Sequence, residues 1–122
     1  DTQIEFILEN EDDLLSTLET DTGKEFAAIY GNVAPNELAK ELRQRGYDAV
    51  ALLRPSMSVS FRGSEHFEKC DKIAQTFDGG GHKKASGGSL EELDLYEDEE
   101  EFQDELGQQG RKYVLNEMAR IA

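Results

Sequence analysis

Cysteine is almost absent from this chain: Cys70 stands alone. One thiol cannot close an internal disulfide, which fits a reducing cytoplasm, and it excludes a cysteine-rich zinc site. Long apolar runs are missing too. No stretch nears the roughly 18 residues of a membrane span, and no basic-then-apolar leader opens the chain, so a cytoplasmic location without membrane contact is expected. Bases are scarce: 13 Lys and Arg face 27 Asp and Glu, for a net charge of −14. Such a balance ordinarily argues against an anionic ligand. The 122 residues suffice for one ordinary domain with a modest core. The chain begins with Asp1 rather than Met and its first residues read as the middle of something, so an excised piece of a longer protein is expected.

The distribution of charge changes the argument about ligands. Residues 1–25 hold nine carboxylates and residues 91–122 hold eleven, against only Lys24, Arg111, Lys112 and Arg120. Residues 26–90 hold seven acids and nine bases, among them Arg43, Arg54, Arg62, Lys83 and Lys84. The ends therefore sum to −16 and the middle to +2. A centre able to meet a phosphate is hidden by the whole-chain figure. The acidic ends read either as docking tails for a basic partner or as a solvated surface of the halophilic kind. Carboxylates at both ends and little lysine favour the second.

Hydrophobic spacing sets out the elements. Ile4, Ile7, Leu8, Leu14, Leu15 and Leu18 fall near a helical period, so residues 2–19 are expected to form one or two short helices, with Asn10 as a cap followed by Glu11, Asp12 and Asp13. Residues 1–22 are assigned to connector helices and residues 23–122 to the domain proper. Phe26–Tyr30 and Tyr47–Leu53 are short apolar runs suited to buried strands. Between them Asn36 is expected to cap a helix ending at Gly46. A strand, a helix and a strand in that order imply parallel neighbours. Met57 to Arg62 then alternates, with Met57, Val59 and Phe61 on one face and Ser58, Ser60 and Arg62 on the other. Phe67, Cys70, Ile73, Ala74 and Phe77 define an amphipathic helix of about three turns. A terminal helix packs through Phe102, Leu106, Val114, Leu115, Met118 and Ile121, with Gly107 and Gly110 as candidate breaks. The expected fold is α/β: a small mixed sheet of about four to five strands flanked by helices.

Five of the eleven glycines lie within residues 79–88. Successive amides in a glycine turn can point inward as a nest of partial positive charge suited to phosphate. His82, Lys83 and Lys84 add donors and charge, and Arg62 offers a planar fork for bidentate phosphate contact. The plain alternative is a flexible loop with two solvated lysines, which the tight flanking elements disfavour. Neither a dinucleotide fingerprint nor a Walker loop fits the context.

The segment Lys72-Ile-Ala-Gln-Thr-Phe-Asp-Gly-Gly-Gly-His-Lys-Lys-Ala-Ser-Gly-Gly88 resembles the signature of the DHH-associated C-terminal domain of DHH-family phosphoesterases. That pattern joins an Ile-Ala helix, a Gly-Gly-Gly-His loop and a small-small-Gly ending. Ser58-Val-Ser-Phe-Arg62 resembles the family's Ser-Arg strand, and the likeness covers roughly residues 24–90. Two positions depart from it: Asp78 stands where many members have another glycine, and Ser86 replaces an alanine. The resemblance implies a substrate-binding domain, of the kind that closes over the catalytic domain in nanoRNases, RecJ-like exonucleases, bacterial adenosine-bisphosphate phosphatases, cyclic-dinucleotide phosphodiesterases and exopolyphosphatase-related proteins. Carried over residue by residue, the binding role falls on Arg62, Gly79, Gly80, Gly81 and His82. Lys83 joins them on charge alone.

No catalytic residue is expected in this chain, since it has no clustered His/Asp set of the kind that activates water between paired cations. No metal is expected here either. The resemblance places Mn2+ in a DHH domain outside this sequence, so a hydrolase activity would belong to that larger protein. The expected partners are that DHH domain and a phosphate-bearing substrate: short RNA or DNA, a nucleoside bisphosphate or polyphosphate. Homodimer formation stays open. Two other readings compete: a nucleic-acid-binding accessory module, and an acidic protein-interaction module. His66 is read as a surface residue and Cys70 as packing.

Overall fold

The computed structural model describes residues 2–122, and of residues 2, 3, 11 and 12 the backbone alone. The chain opens with helices α1 (Thr2–Glu9) and α2 (Glu11–Leu14), then strands β1 (Leu15–Glu19) and β2 (Glu25–Tyr30). Helix α3 (Pro35–Gln44) leads to strands β3 (Ala49–Leu53) and β4 (Ser58–Gly63). After helix α4 (Cys70–Gln75) come strands β5 (Gly80–Gly81) and β6 (Ala85–Ser89), then helices α5 (Glu99–Asp104) and α6 (Gln108–Ile121). The strands form one mixed sheet in the order β1-β2-β3-β4-β6-β5.

The parallel pair β2 and β3 stands second and third in that order, with Phe26 opposite Ala49 and Tyr30 opposite Leu53. Every residue of β3 is buried, as a central strand covered on both faces requires. On one face Ala49, Ala51, Leu53, Val59 and Phe61 join Ile73, Phe77, Val114 and Met118 in a core under α4 and α6. On the other face Val50, Leu52, Ala27 and Ile29 pack against Leu38 and Leu42 of α3 and Ile4 and Ile7 of α1. That second cluster takes no described residue from β4, β5 or β6. On that side the described apolar packing stops at β3, and β4 meets α3 through polar contacts such as Arg43 with Gly63 O and Asn36 with Arg62.

The α/β architecture agrees with the expectation, and six strands exceed the four to five anticipated. The addition at one edge comes from residues 15–19, which form β1 rather than continuing a helix. Thr20 N donates to Lys24 O at 2.8 Å and Gly23 takes a φ of 85°, closing a hairpin onto β2. The hairpin signal Thr20-Asp-Thr-Gly23 outranks the helical spacing of the leucines. Strand β1 thus lies before the boundary assigned at residue 22, paired with β2 along its length.

Four further expectations change. Asn10 does not act as an acceptor cap: its side chain donates back to Phe6 O at 2.7 Å, and the side chains of Glu11 and Asp12 lie outside the described residues. Asn36 does not cap α3 either. Ala34 is the N-cap and Pro35 follows, which suits proline because its missing N–H costs nothing in the first turn. The terminal helix is broken at Gly107, whose φ is 64°. Gly110 is no break, and its amide donates to the Tyr96 hydroxyl at 2.7 Å within α6. The amphipathic helix at Phe67–Phe77 is shorter than expected, since only Cys70–Gln75 is helical, yet all five apolar residues that defined it are buried.

Candidate functional site

Strand alternation builds the site. In β4, Val59 and Phe61 are buried while Ser58, Ser60 and Arg62 are half-buried on the uncovered face. The antiparallel register sets Arg62 opposite Ala85, Ser60 opposite Gly87 and Ser58 opposite Ser89. One strand further out, Gly80 pairs with Gly87, and His82 meets Ala85 through amide–carbonyl bonds of 2.7 and 3.3 Å. Because cross-strand partners share a face, one row reads Arg62, Ala85, His82 and the next reads Ser60, Gly87, Gly80. The second row has no side chain beyond the serine. Beside the arginine lies a bare strip of sheet.

Arg62 is held in a fixed orientation over that strip. Its Nε donates to Asn36 Oδ1 at 2.8 Å, and its Nη1 donates to Phe61 O at 2.9 Å and Ser86 O at 3.3 Å. Asn36, released from capping duty, thus orients the guanidinium from α3. Arg54, at the end of β3, donates from Nη1 to Ser60 Oγ at 2.8 Å. Arg43 of α3 donates to Gly63 O at 3.1 Å. The described ion pairs, His66 with Glu65 and Arg120 with Glu117, involve none of these three arginines. Burial and then the charge of Arg54 hold Arg62 below the ordinary arginine value, with Arg43 acting the same way against the Cys70 thiol. Like charges are gathered here in a protein with a large excess of acid.

The glycines act differently from the expected nest. Gly79 N is already bonded to Ala74 O at 2.9 Å and His82 N to Ala85 O, while Gly80 stands in the next hydrogen-bonded pair of the β5–β6 ladder. The three-glycine turn therefore does not present a concerted set of free amides. What it provides is close backbone approach. A Cβ on Gly79 would lie 1.9 Å from Gly87 O, and one on Gly88 would lie 2.7 Å from Phe77 Cβ. The residues spread into an edge strand laid flat on β6 because nothing projects from them. Asp78 has a φ of 57°, which explains why glycine suits that position and why an acid, among the residues most tolerant of it, can replace it.

The remaining candidates separate. Ser86 faces the core, where its hydroxyl donates to Cys70 O at 2.6 Å, so it lies away from the open face. Lys83 lines a hollow of about 520 Å³ at the hairpin tip, together with His82, Lys84, Glu68 and Asp71. With two carboxylates there, that hollow suits an anion less well than the arginine face. An apolar groove of about 460 Å³ lined by Phe6, Leu14, Tyr30, Val33 and Leu106 contains none of the candidates. His66 is exposed and Cys70 fully buried. Among the described residues no group of three or more His, Cys, Asp or Glu is placed to hold a metal ion, and no helix is long and apolar enough to cross a membrane. Arg54, Arg43 and Asn36 were missed by sequence reasoning. Alternation past Leu52 carries Arg54 onto the Ser60 face, and that signal was available.

The chain matches no family model and no curated protein. Solved structures similar to it include the following three. Over 93% of its length it matches an uncharacterized protein from Helicobacter pylori G27 with a TM-score of 0.63 and 21% identity. It matches a DHH domain of a member of the s1p family of ribosomal proteins over 91% of its length, at 0.55 and 15%. It matches an exopolyphosphatase-related protein from Bacteroides fragilis over 93%, at 0.53 and 16%. The chain shares their fold. It spans about a third of each matched structure, 32, 31 and 35%. A DHH domain and an exopolyphosphatase-related protein among these neighbours agree with the resemblance carried by residues 58–62 and 72–88.

Proposed function

We propose that this chain is the substrate-binding domain of a DHH-family phosphoesterase, holding a phosphate or terminal nucleotide on the open face of β4, β6 and β5. The observation that carries the reading is the fixed Arg62 guanidinium beside a glycine-floored strip, in company with two arginines that have no described carboxylate partner. A planar guanidinium whose orientation is already set loses little entropy on binding a phosphate. Bare backbone at Gly80 and Gly87 lets a ligand lie close to the sheet. His82, two strands away in the same row, lies about 10 Å from Arg62 on a strand spacing of roughly 4.8 Å, within the span of a nucleotide. Gly79, Gly80 and Gly81 act in this reading through the space they leave, and Lys83 through charge at the hairpin tip.

Chemical-shift mapping with AMP and with a short oligonucleotide tests the proposal. Shifts are expected at Ser60, Arg62, Gly80, His82 and Gly87, lost in Arg62→Ala. Shifts confined to residues 91–105, or seen only with a basic protein, would replace this reading with an interaction module. A diffuse response along many lysines that weakens steeply with salt would indicate general nucleic-acid binding. Hydrolysis belongs, in this reading, to a manganese-dependent domain beyond the chain. The isolated chain with manganese and a dinucleotide is expected to give no turnover.

A further inference from the structure

We infer that Arg54 and Ser60 form a second anion seat next to Arg62, so that the open face takes a ligand with two neighbouring phosphate groups rather than a lone phosphate. The inference rests on the phosphate-binding reading of this face. Arg54 lies in the loop between β3 and β4, outside every motif that suggested a function. Its guanidinium nevertheless reaches over the open face to Ser60 Oγ at 2.8 Å, in the row next to Arg62.

The position of Arg54 is set by the backbone. Its amide donates to Ser58 O at 2.9 Å and its carbonyl accepts from Met57 N at 2.9 Å, which closes a three-residue hairpin loop. Met57 ends that loop with a φ of 65°, a conformation costly for a side chain of its size. It is kept there because the side chain is buried in the core, 9% exposed. A loop pinned by a buried methionine holds the arginine beside it in place. Only one Arg54 nitrogen, Nη1, has a described hydrogen-bond partner, and no described carboxylate pairs with the group. Nη2 of Arg62 is likewise without a described partner.

Two guanidiniums held this close repel each other, and the repulsion is felt at Arg62. A surface with 27 acids in the chain had ample means to neutralise them. A single phosphate satisfies one planar fork. A ligand with a second phosphate relieves both charges at once, and the Ser60 hydroxyl between them adds a donor once its proton turns outward.

Titration of the whole chain with orthophosphate, pyrophosphate and a 5′-phosphorylated dinucleotide, for wild type, Arg54→Ala, Arg54→Lys and Arg62→Ala, tests this. Wild type is expected to prefer at least one of the two-phosphate probes over orthophosphate by about tenfold or more, on the scale of one charge-assisted contact. Arg54→Ala should abolish that preference, weakening the preferred probe by about tenfold more than orthophosphate. Arg54→Lys should restore it in part, since the charge returns without the fork. A preference for pyrophosphate identifies a phosphoanhydride ligand, and one for the dinucleotide a nucleotide backbone. If Arg62→Ala loses binding while Arg54→Ala changes nothing, the second seat is refuted and the phosphate reading stands. Equal loss of all probes in Arg54→Ala also refutes it. If wild type binds none of the probes, both readings fall. Proton–nitrogen spectra of each variant exclude misfolding as the cause.

Discussion

The two faces of β4 stand in contrast, one buried and one half-buried. Phe61 is fully buried and packs against Phe77 with ring centroids 5.5 Å apart. One residue later, Arg62 lies on the opposite face, half-buried, where α3 reaches it through the Asn36 side chain. Helices α4 and α6 seal the first face, whereas α1 and α3 cover β2 and β3 on the second and stop at β4. A residue's value here depends on which face the pleat gives it, and polar side chains on a strand near the middle of a sheet mark the face left open.

The sharpest way to break the comparison is to truncate the two neighbours in turn. Phe61→Ala removes a filled core position and is expected to cost about 3–5 kcal/mol in chemical denaturation. Arg62→Ala gives up three hydrogen bonds but relieves repulsion from Arg54 and Arg43, so its cost is expected near 1 kcal/mol. It should nonetheless abolish phosphate binding. Equal destabilisation by the two changes would mean that the open face is structural.

The glycines divide in the same way and give the next largest effect. A Cβ on Gly79 collides with Gly87 O, while one on Gly80 meets nothing within 4 Å. Gly79→Ala is expected to destabilise by about 1–3 kcal/mol, the usual cost of overpacking. Gly80→Ala should stay within about 0.5 kcal/mol in the same denaturation curve yet lower phosphate affinity, because the methyl stands on the strip beside Ser60. A Gly80→Ala protein that binds as tightly as wild type would remove the floor from the proposed site.

How much of this was legible in the sequence follows the same division. Alternation at residues 57–62 gave both faces of β4, and the apolar runs gave β2 and β3, because burial imposes its period directly on residue type. The edge was harder to read. Leu14, Leu15 and Leu18 fit a helical spacing as well as a strand, and only the turn at residues 20–24 decides between them. The glycine cluster suggested a nest of free amides, and at Gly79 and His82 the amides are already bonded. Its composition cannot distinguish amides turned toward a ligand from amides spent on nearby carbonyls, as Gly79 N is on Ala74 O at the end of α4 and His82 N on Ala85 O across the hairpin turn. Asn36 escaped notice because it matched a local role, a helix cap, before its tertiary one, and Arg54 because it stands outside the motifs read for function.

The smallest effect sharpens the sealed side. Burial pushes the Cys70 thiol up to about 12, from 9.0 for the ordinary group, with Arg62 opposing and Asp71 reinforcing the shift. The folded chain therefore keeps the proton over a range in which the unfolded chain gives it up. A folded-state value raised above the unfolded one stabilises the protein fully below about pH 9, and that contribution is lost as pH climbs toward 12. Denaturation midpoints should thus fall between pH 9 and 11 in wild type more than in Cys70→Ala, once the common alkaline loss is subtracted. In the same window the wild-type thiol should resist alkylation until the chain unfolds. Parallel midpoints for the two proteins, or rapid alkylation of the folded chain at pH 9, would show that water reaches the α4 side of the sheet and that its seal is incomplete.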